Sequence, residues 1–151
     1  VVSMARGNLA KDVIQLAADF DATVIDGPPH AEGIARACII ASDFVALPIE
    51  PSGLSTWASD LTVKQVKEAQ DFKETLKCGF VVSRKIGNTV IGREIRSMAA
   101  DAGIQLLDAE VEQRVAYAES LTMGKTIFEW SPTGTAAKEI VTLTDEIVRH
   151  V

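Results

Sequence analysis

Cysteine is scarce in this 151-residue chain: Cys38 and Cys78 are the only two, far apart and each set among apolar neighbours. That excludes a disulfide framework and a thiolate metal site, and fits two buried free thiols in a reducing compartment. The two histidines, His30 and His150, lack metal-ligand spacing. No G-x-S-x-G elbow and no Ser/His/Asp arrangement is present, which removes the common hydrolase signatures. No run approaches the roughly 20 apolar residues of a membrane span, and no signal peptide is visible. Repeats, low-complexity runs and linkers are absent, so one domain is the simplest organisation. Basic charge is in deficit, with a formal net charge of −6 and a pI of about 4.9. An overall coat of nucleic acid is excluded on that ground, but a local basic face is not.

What is present is a globular chain, 47% hydrophobic, long enough for one sizeable core. Four apolar runs have strand character: residues 22–26, 43–49, 78–83 and 104–111. Helical patterns lie before and between them, at 9–20, 31–41, 53–73 and 89–103, and a last helix spans 134–151. The first places Leu9, Val13, Leu16 and Ala17 on one face. The third places Leu54, Trp57, Leu61, Val66 and Ala69 on one side, with Lys64, Lys67 and Glu68 outward. Gly103 is set to cap the fourth. Strands alternating with helices predict an α/β fold, with a mostly parallel sheet covered by helices on both faces.

Three stretches carry candidate chemistry. In "ATVIDGPPH" (22–30) a buried-strand pattern runs into Asp26, and Gly27, Pro28 and Pro29 then end it. A carboxylate at a strand's carboxyl end can hold a metal ion or a water, or can simply cap a turn. In "FVVSRKIGNT" Ser83, Arg84 and Lys85 emerge at a strand end, and Arg93 and Arg96 follow on a helix. Residues 83–99 hold four basic residues against one acidic. That local excess can bind phosphates, or can pair with the acidic stretch Asp101, Asp108, Glu110 and Glu112. "ESLTMGKT" (119–126) ends like a phosphate loop, but position 119 is Glu where the first glycine belongs. It follows a helical pattern, "QRVAYAESL", so a tight turn after a helix is expected. Trp57 and Trp130 read as packing residues, and Tyr117 as either packing or contact.

In order along the chain, these pieces resemble a ParA-type DNA-partition ATPase of the deviant Walker superfamily, and most of all the short ParF-like plasmid partition proteins. "FDATVIDGPP" is similar to the family's Walker B segment. "ASDFVALPIEPSGLSTWAS" resembles the next strand and its proline-bearing loop. "FVVSRKIGNTVIGREI", "VEQRVAYAESLTMGKTIFE" and "GTAAKEIVTLTDEIVRHV" resemble the later segments. The resemblance runs from about residue 9 to the end and implies a three-layer, P-loop-like α/β fold.

The resemblance further implies ATP and Mg²⁺ as cofactors. Asp26 would be the Walker B carboxylate, catalytic and holding Mg²⁺ through water, with Gly27 and Arg84 also on the nucleotide side. It implies a homodimer formed on ATP binding, non-specific DNA as a partner, a ParB- or ParG-like centromere-binding protein as another, and a cytoplasmic, nucleoid-associated location. The DNA contacts would fall to Lys85, Arg93, Arg96 and Arg114. The family's phosphate loop and second aspartate motif do not occur in these residues. They are expected in about 50–60 residues before Val1, the size of a strand–helix–strand unit with loops. The chain by itself is therefore expected not to hydrolyse ATP. The end, "TDEIVRHV", has too little basic charge for a membrane-surface helix, so no membrane is expected. Single cysteines disfavour the superfamily's iron–sulfur carriers. The rival reading is a non-catalytic ParA-like remnant used for dimerisation or partner binding.

Overall fold

The computed structural model describes residues 1–3, 9–27, 32–51, 56–86 and 92–151. The turn prolines Pro28 and Pro29, His30, Leu54 and the side chains of Trp57 and Arg93 lie outside the described residues. The elements in chain order are α1 (Leu9–Ala17), α2 (Glu32–Ala41), β1 (Phe44–Ile49), α3 (Thr56–Gln70), β2 (Lys77–Lys85), α4 (Gly92–Ala102), β3 (Gln105–Glu112), α5 (Val115–Thr122), α6 (Ile127–Trp130) and α7 (Thr135–His150). They alternate as the apolar pattern predicts. The chain divides into two compact units, Val1–Val45 with Leu61–Lys77 and Ala46–Asp60 with Cys78–Val151.

The strands form one sheet in the order β1-β2-β3. Each sequence suits its place. The central strand β2 buries Cys78 through Val82 without a break, as a strand covered on both faces must. The edge strand β1 tolerates Pro48, which has no N–H to give a ladder. The other edge strand, β3, alternates buried Leu107 and Ala109 with exposed Asp108 and Glu110.

β3 runs parallel to β2. β1 runs the same way, because both its ends meet β2: Lys77 N–H donates to the Asp43 carbonyl at 3.0 Å, and Arg84 pairs with Glu50 at 3.0 Å. Helices α4 and α7 pack on β3. Gly103 closes α4 with φ +62°, while the Ile104 N–H bonds back to the Ala99 carbonyl at 3.0 Å.

In the first unit α1 packs on α2, with Leu9, Val13 and Cys38 as the buried centre and Ile25, Ile34, Ala37 and Ala41 against it. Burial raises the Cys38 thiol's pKa. Val66, Ala69 and Leu76 are also buried. Some helix-face expectations need correction. Leu16 is 41% exposed and Leu61 50% exposed, although both sit at core-facing spacing. An amphipathic stripe becomes core only where another element covers it.

The larger correction concerns residues 22–26. They form no strand, so three of the four predicted strands are present among the described residues. Ile25 is half-buried against the α1–α2 cluster, but Val24 is 94% exposed. A strand exists by ladder pairing, and residues 22–27 have no ladder partner among the described residues.

Candidate functional site

The carboxyl ends of the strands carry the charged residues that the sequence singles out. Pairing along β2 and β3 is irregular there. Val82 faces Glu110 and Lys85 faces Glu112, so β2 has one extra residue between those pairs. Arg84 lies in that bulge with φ +53°, and no other non-glycine among the described residues has positive φ. A left-handed arginine costs about 1 kcal/mol or more. Bulges re-aim side chains, and this one sends Arg84 Nη1 to Glu50 Oε1 at 3.0 Å. Both side chains remain largely in solvent, 63% and 46% exposed. An exposed pair of this kind contributes at most about 1 kcal/mol, so it does not clearly offset the backbone cost.

Lys85 pairs with Glu110 on β3. Arg114 is held more firmly. Its Nε donates to Glu139 at 2.8 Å and its Nη2 to Glu112 at 2.9 Å. The Glu139 hydrogen bond and charge raise the pKa of this guanidinium, so it stays cationic. Tyr117 joins the network, its single hydroxyl proton shared between the Ala136 carbonyl at 3.0 Å and Glu139 at 3.2 Å. Desolvation, with the Glu139 charge second, pushes Tyr117 up to about 12. So Tyr117 is a packing residue that ties α5 to α7, and Lys85 and Arg114 pair with Glu110 and Glu112 of the acidic stretch.

Arg96 is exposed on α4, while Ile95 and Ala99 beside it are buried. Among the described residues it has no ion pair. Asp26 and Gly27 lie in the first unit, both exposed, in a segment outside any helix or strand. Nothing lies within 4 Å of where a Cβ on Gly27 would sit, so no packed cradle demands glycine there. Among the described residues no group of three or more His, Cys, Asp or Glu could hold a metal ion.

The phosphate-loop look-alike is a helix terminus. Gly124 has φ +64°, and the Lys125 N–H bonds to the Ser120 carbonyl at 2.9 Å, closing α5. Thr126 then caps α6 through a reciprocal box with Glu129, whose pKa is lowered first by the Thr126 backbone N–H. Lys125 Nζ stands 5.9 Å from the centre of the Trp130 ring. The "GKT" triplet is thus spent on capping.

Two carboxylates with long-range partners escape a reading of the sequence. Glu50 follows a strand and precedes Pro51, the same strand–acid–proline signal that marks Asp26. Of these two acids, Glu50 is the one that follows a strand among the described residues. Glu146 of α7 accepts the Asp108 and Ala109 N–H groups at 2.8 and 2.7 Å. Those amides are freed by a second irregularity, in which Phe80 faces Leu106 but Val82 faces Glu110. No local signal marks Glu146, because its partners are 38 and 37 residues away.

No protein-family model matches the chain. Among curated proteins it is similar to the maintenance of carboxysome distribution protein A of Halothiobacillus neapolitanus, 27% identical over 132 residues. That alignment covers 86% of this chain and 61% of the relative. Among solved structures it is similar to the cell division ATPase MinD of Pyrococcus furiosus, with a TM-score of 0.73 and 22% identity. That match covers 96% of this chain and 59% of MinD. The chain thus spans about three-fifths of the length of each of these two proteins. The α/β fold, a parallel sheet flanked by helices, is that of MinD. No helix among the described residues is long and apolar enough to cross a membrane.

Proposed function

We propose that this chain is part of a ParA-type ATPase that positions or partitions a cargo within the cell in an ATP- and Mg²⁺-dependent way. The observation that carries the reading is the 27% identity over 86% of the chain to a protein named for distributing carboxysomes. The MinD-like fold supports it. By this reading Asp26 contacts the Mg²⁺ of bound Mg-ATP through water, with Gly27 beside it. Arg84 stands on the nucleotide side, at the carboxyl ends of β1 and β2, where ligands bind in open α/β sheets. Phosphoryl transfer needs positioning and neutralised charge more than covalent chemistry, and these residues are suited to that. The cargo is DNA or a large assembly carried on DNA. The ATP-bound homodimer engages non-specific DNA through Arg93 and Arg96 of α4, and a centromere-binding-type partner stimulates turnover. Lys85 and Arg114 lend less to DNA, since their charges are already answered by Glu110, Glu112 and Glu139.

The test is ATP hydrolysis by the complete protein. Asp26→Ala is expected to lower turnover at least about tenfold while the fold is kept, since lost charge stabilisation near a transferring phosphoryl costs a few kcal/mol of barrier. Turnover within about twofold of the parent removes Asp26 from the chemistry. A second reading is a ParA-like domain that binds a partner or dimerises without handling nucleotide. It is favoured by one observation: the only phosphate-loop-like triplet in these 151 residues caps two helices. Saturable heat from Mg-ATP added to this chain would count against that second reading.

A further inference from the structure

We propose that Glu146 of α7 is the positioning residue of Arg84. By holding two amides of β3 it sets the strand register that turns the Arg84 backbone left-handed and aims its side chain along the carboxyl ends of β1 and β2. The residues concerned all lie in the second unit. Between the pairs Phe80–Leu106 and Lys85–Glu112 there are five steps along β2 and six along β3. One extra residue on β3 would reconcile the two ends. The strands instead take two extra residues on β3, between Leu106 and Glu110, and return one on β2, between Val82 and Lys85. Arg84 lies in the bulge of that returned residue, at φ +53°.

A pairing with a single bulge is open to this sequence. It would set Val82 opposite Asp108 in place of Glu110, a change of two residues that keeps the facing of the side chains. It would also rid β2 of its bulge and Arg84 of its left-handed backbone. Both ends are pinned in either pairing, at one end by Gly79 against Gln105 and at the other by the Gln113 N–H on the Lys85 carbonyl at 2.8 Å. What singles out the observed pairing is Glu146. Its carboxylate takes the Asp108 and Ala109 N–H groups at 2.8 and 2.7 Å, and both amides lie inside the excess of β3. Charge-assisted bonds of this length are the strong kind, whereas the exposed Arg84–Glu50 pair does not clearly offset the backbone cost. Lys85 pairs with Glu110 in this register, but from a partly exposed position. What Arg84 meets there rests on the proposed function, whereas its placement by Glu146 is read without nucleotide.

The test is NMR on the 151-residue chain. A positive φ brings an amide proton close to the Hα of its own residue and gives a strong cross-peak between them. Arg84 is expected to show that cross-peak in the wild-type chain. Glu146→Ala is expected to lose it, and to exchange contacts between Val82 and Glu110 for contacts between Val82 and Asp108. Melting temperatures give a second readout. Arg84→Gly should leave the wild-type melting temperature unchanged or raised, since glycine accepts the positive φ. In the Glu146→Ala background the same change should lower it, because glycine would then stand in an extended strand. A Glu146 that merely stabilised α7 on β3 would not reverse that sign. Glu146→Gln keeps the shape and one acceptor oxygen, so it is expected to weaken the Arg84 cross-peak, and it carries the test if the alanine variant does not fold. A full-strength Arg84 cross-peak in either Glu146 variant overturns the proposal, as does an Arg84→Gly effect that is the same in both backgrounds. No arm reads ATP hydrolysis, so the placement and the ATPase reading fail separately.

Discussion

"ATVID" and "CGFVVS" have much the same composition of small and β-branched residues, and they end differently. In the second, Phe80, Val81 and Val82 are 1%, 4% and 4% exposed, in a strand flanked on both sides. In the first, Val24 is 94% exposed and no ladder forms among the described residues. β-propensity is therefore a readiness to fit a pleated, covered surface, and the cover comes from elsewhere in the chain. The edge strand β3 is an intermediate case. It pairs with β2, and where that pairing is irregular two of its amides are taken up by the carboxylate of Glu146.

The comparison can be broken most sharply by truncating one residue in each segment. Phe80→Ala should cost about 3–5 kcal/mol, the range for emptying a buried aromatic site. Val24→Ala should change stability by less than about 0.5 kcal/mol, as at an exposed position. Urea denaturation of both variants checks this, and comparable losses would mean that residues 22–26 are structured like β2. Glu146→Ala comes next. It leaves the amides of Asp108 and Ala109 without their charged acceptor, and hydrogen bonds to charged groups are worth roughly 1.5–3 kcal/mol each when well buried. Because both amides are partly solvated, a loss of about 1–2 kcal/mol is expected from the same denaturation experiment.

Hydrogen exchange sharpens the contrast without mutation. Amides of 79–82 should open only with global unfolding, and those of 22–26 should exchange far faster. Slow exchange at Val24 and Ile25 would show that they are paired after all. The smallest effect is a pH dependence. Tyr117 has its folded pKa raised to about 12, above the ordinary phenol value of about 10. Its contribution to stability is therefore complete below about pH 10 and is lost as pH rises toward about 12. Melting temperatures of wild type and Tyr117→Phe should converge over that interval, and parallel curves would contradict the assignment.

Much of the architecture was legible from pattern. Runs 43–49, 78–83 and 104–111 became β1, β2 and β3, and Gly103 capped its helix as expected. Rejecting the phosphate loop at 119–126 also rested on local chemistry: a glycine after a helix and a threonine before the next. The candidate site was legible only in part. The basic character of 83–99 is a property of the sequence, but which cations stay available is not. Lys85 is matched by an acid 25 residues away, and Arg114 by one at the same remove. Arg84 and Glu50 are 34 residues apart. Pairings over such distances depend on strand order and on two register irregularities that no local window contains.

By itself, then, the sequence determined the period-2 and period-3.6 segments, the caps that end the helices and the parallel α/β class, because each depends on residues within a few positions of one another. Tertiary structure decided the rest. It left "ATVID" without a ladder partner among the described residues, turned Arg84 toward Glu50, tied Arg114 and Tyr117 to Glu139, and set Glu146 on β3. The physical reason is the same in each case. A strand, an ion pair and a satisfied edge amide each need a partner, and in this chain the partner is brought by the fold from far along the sequence.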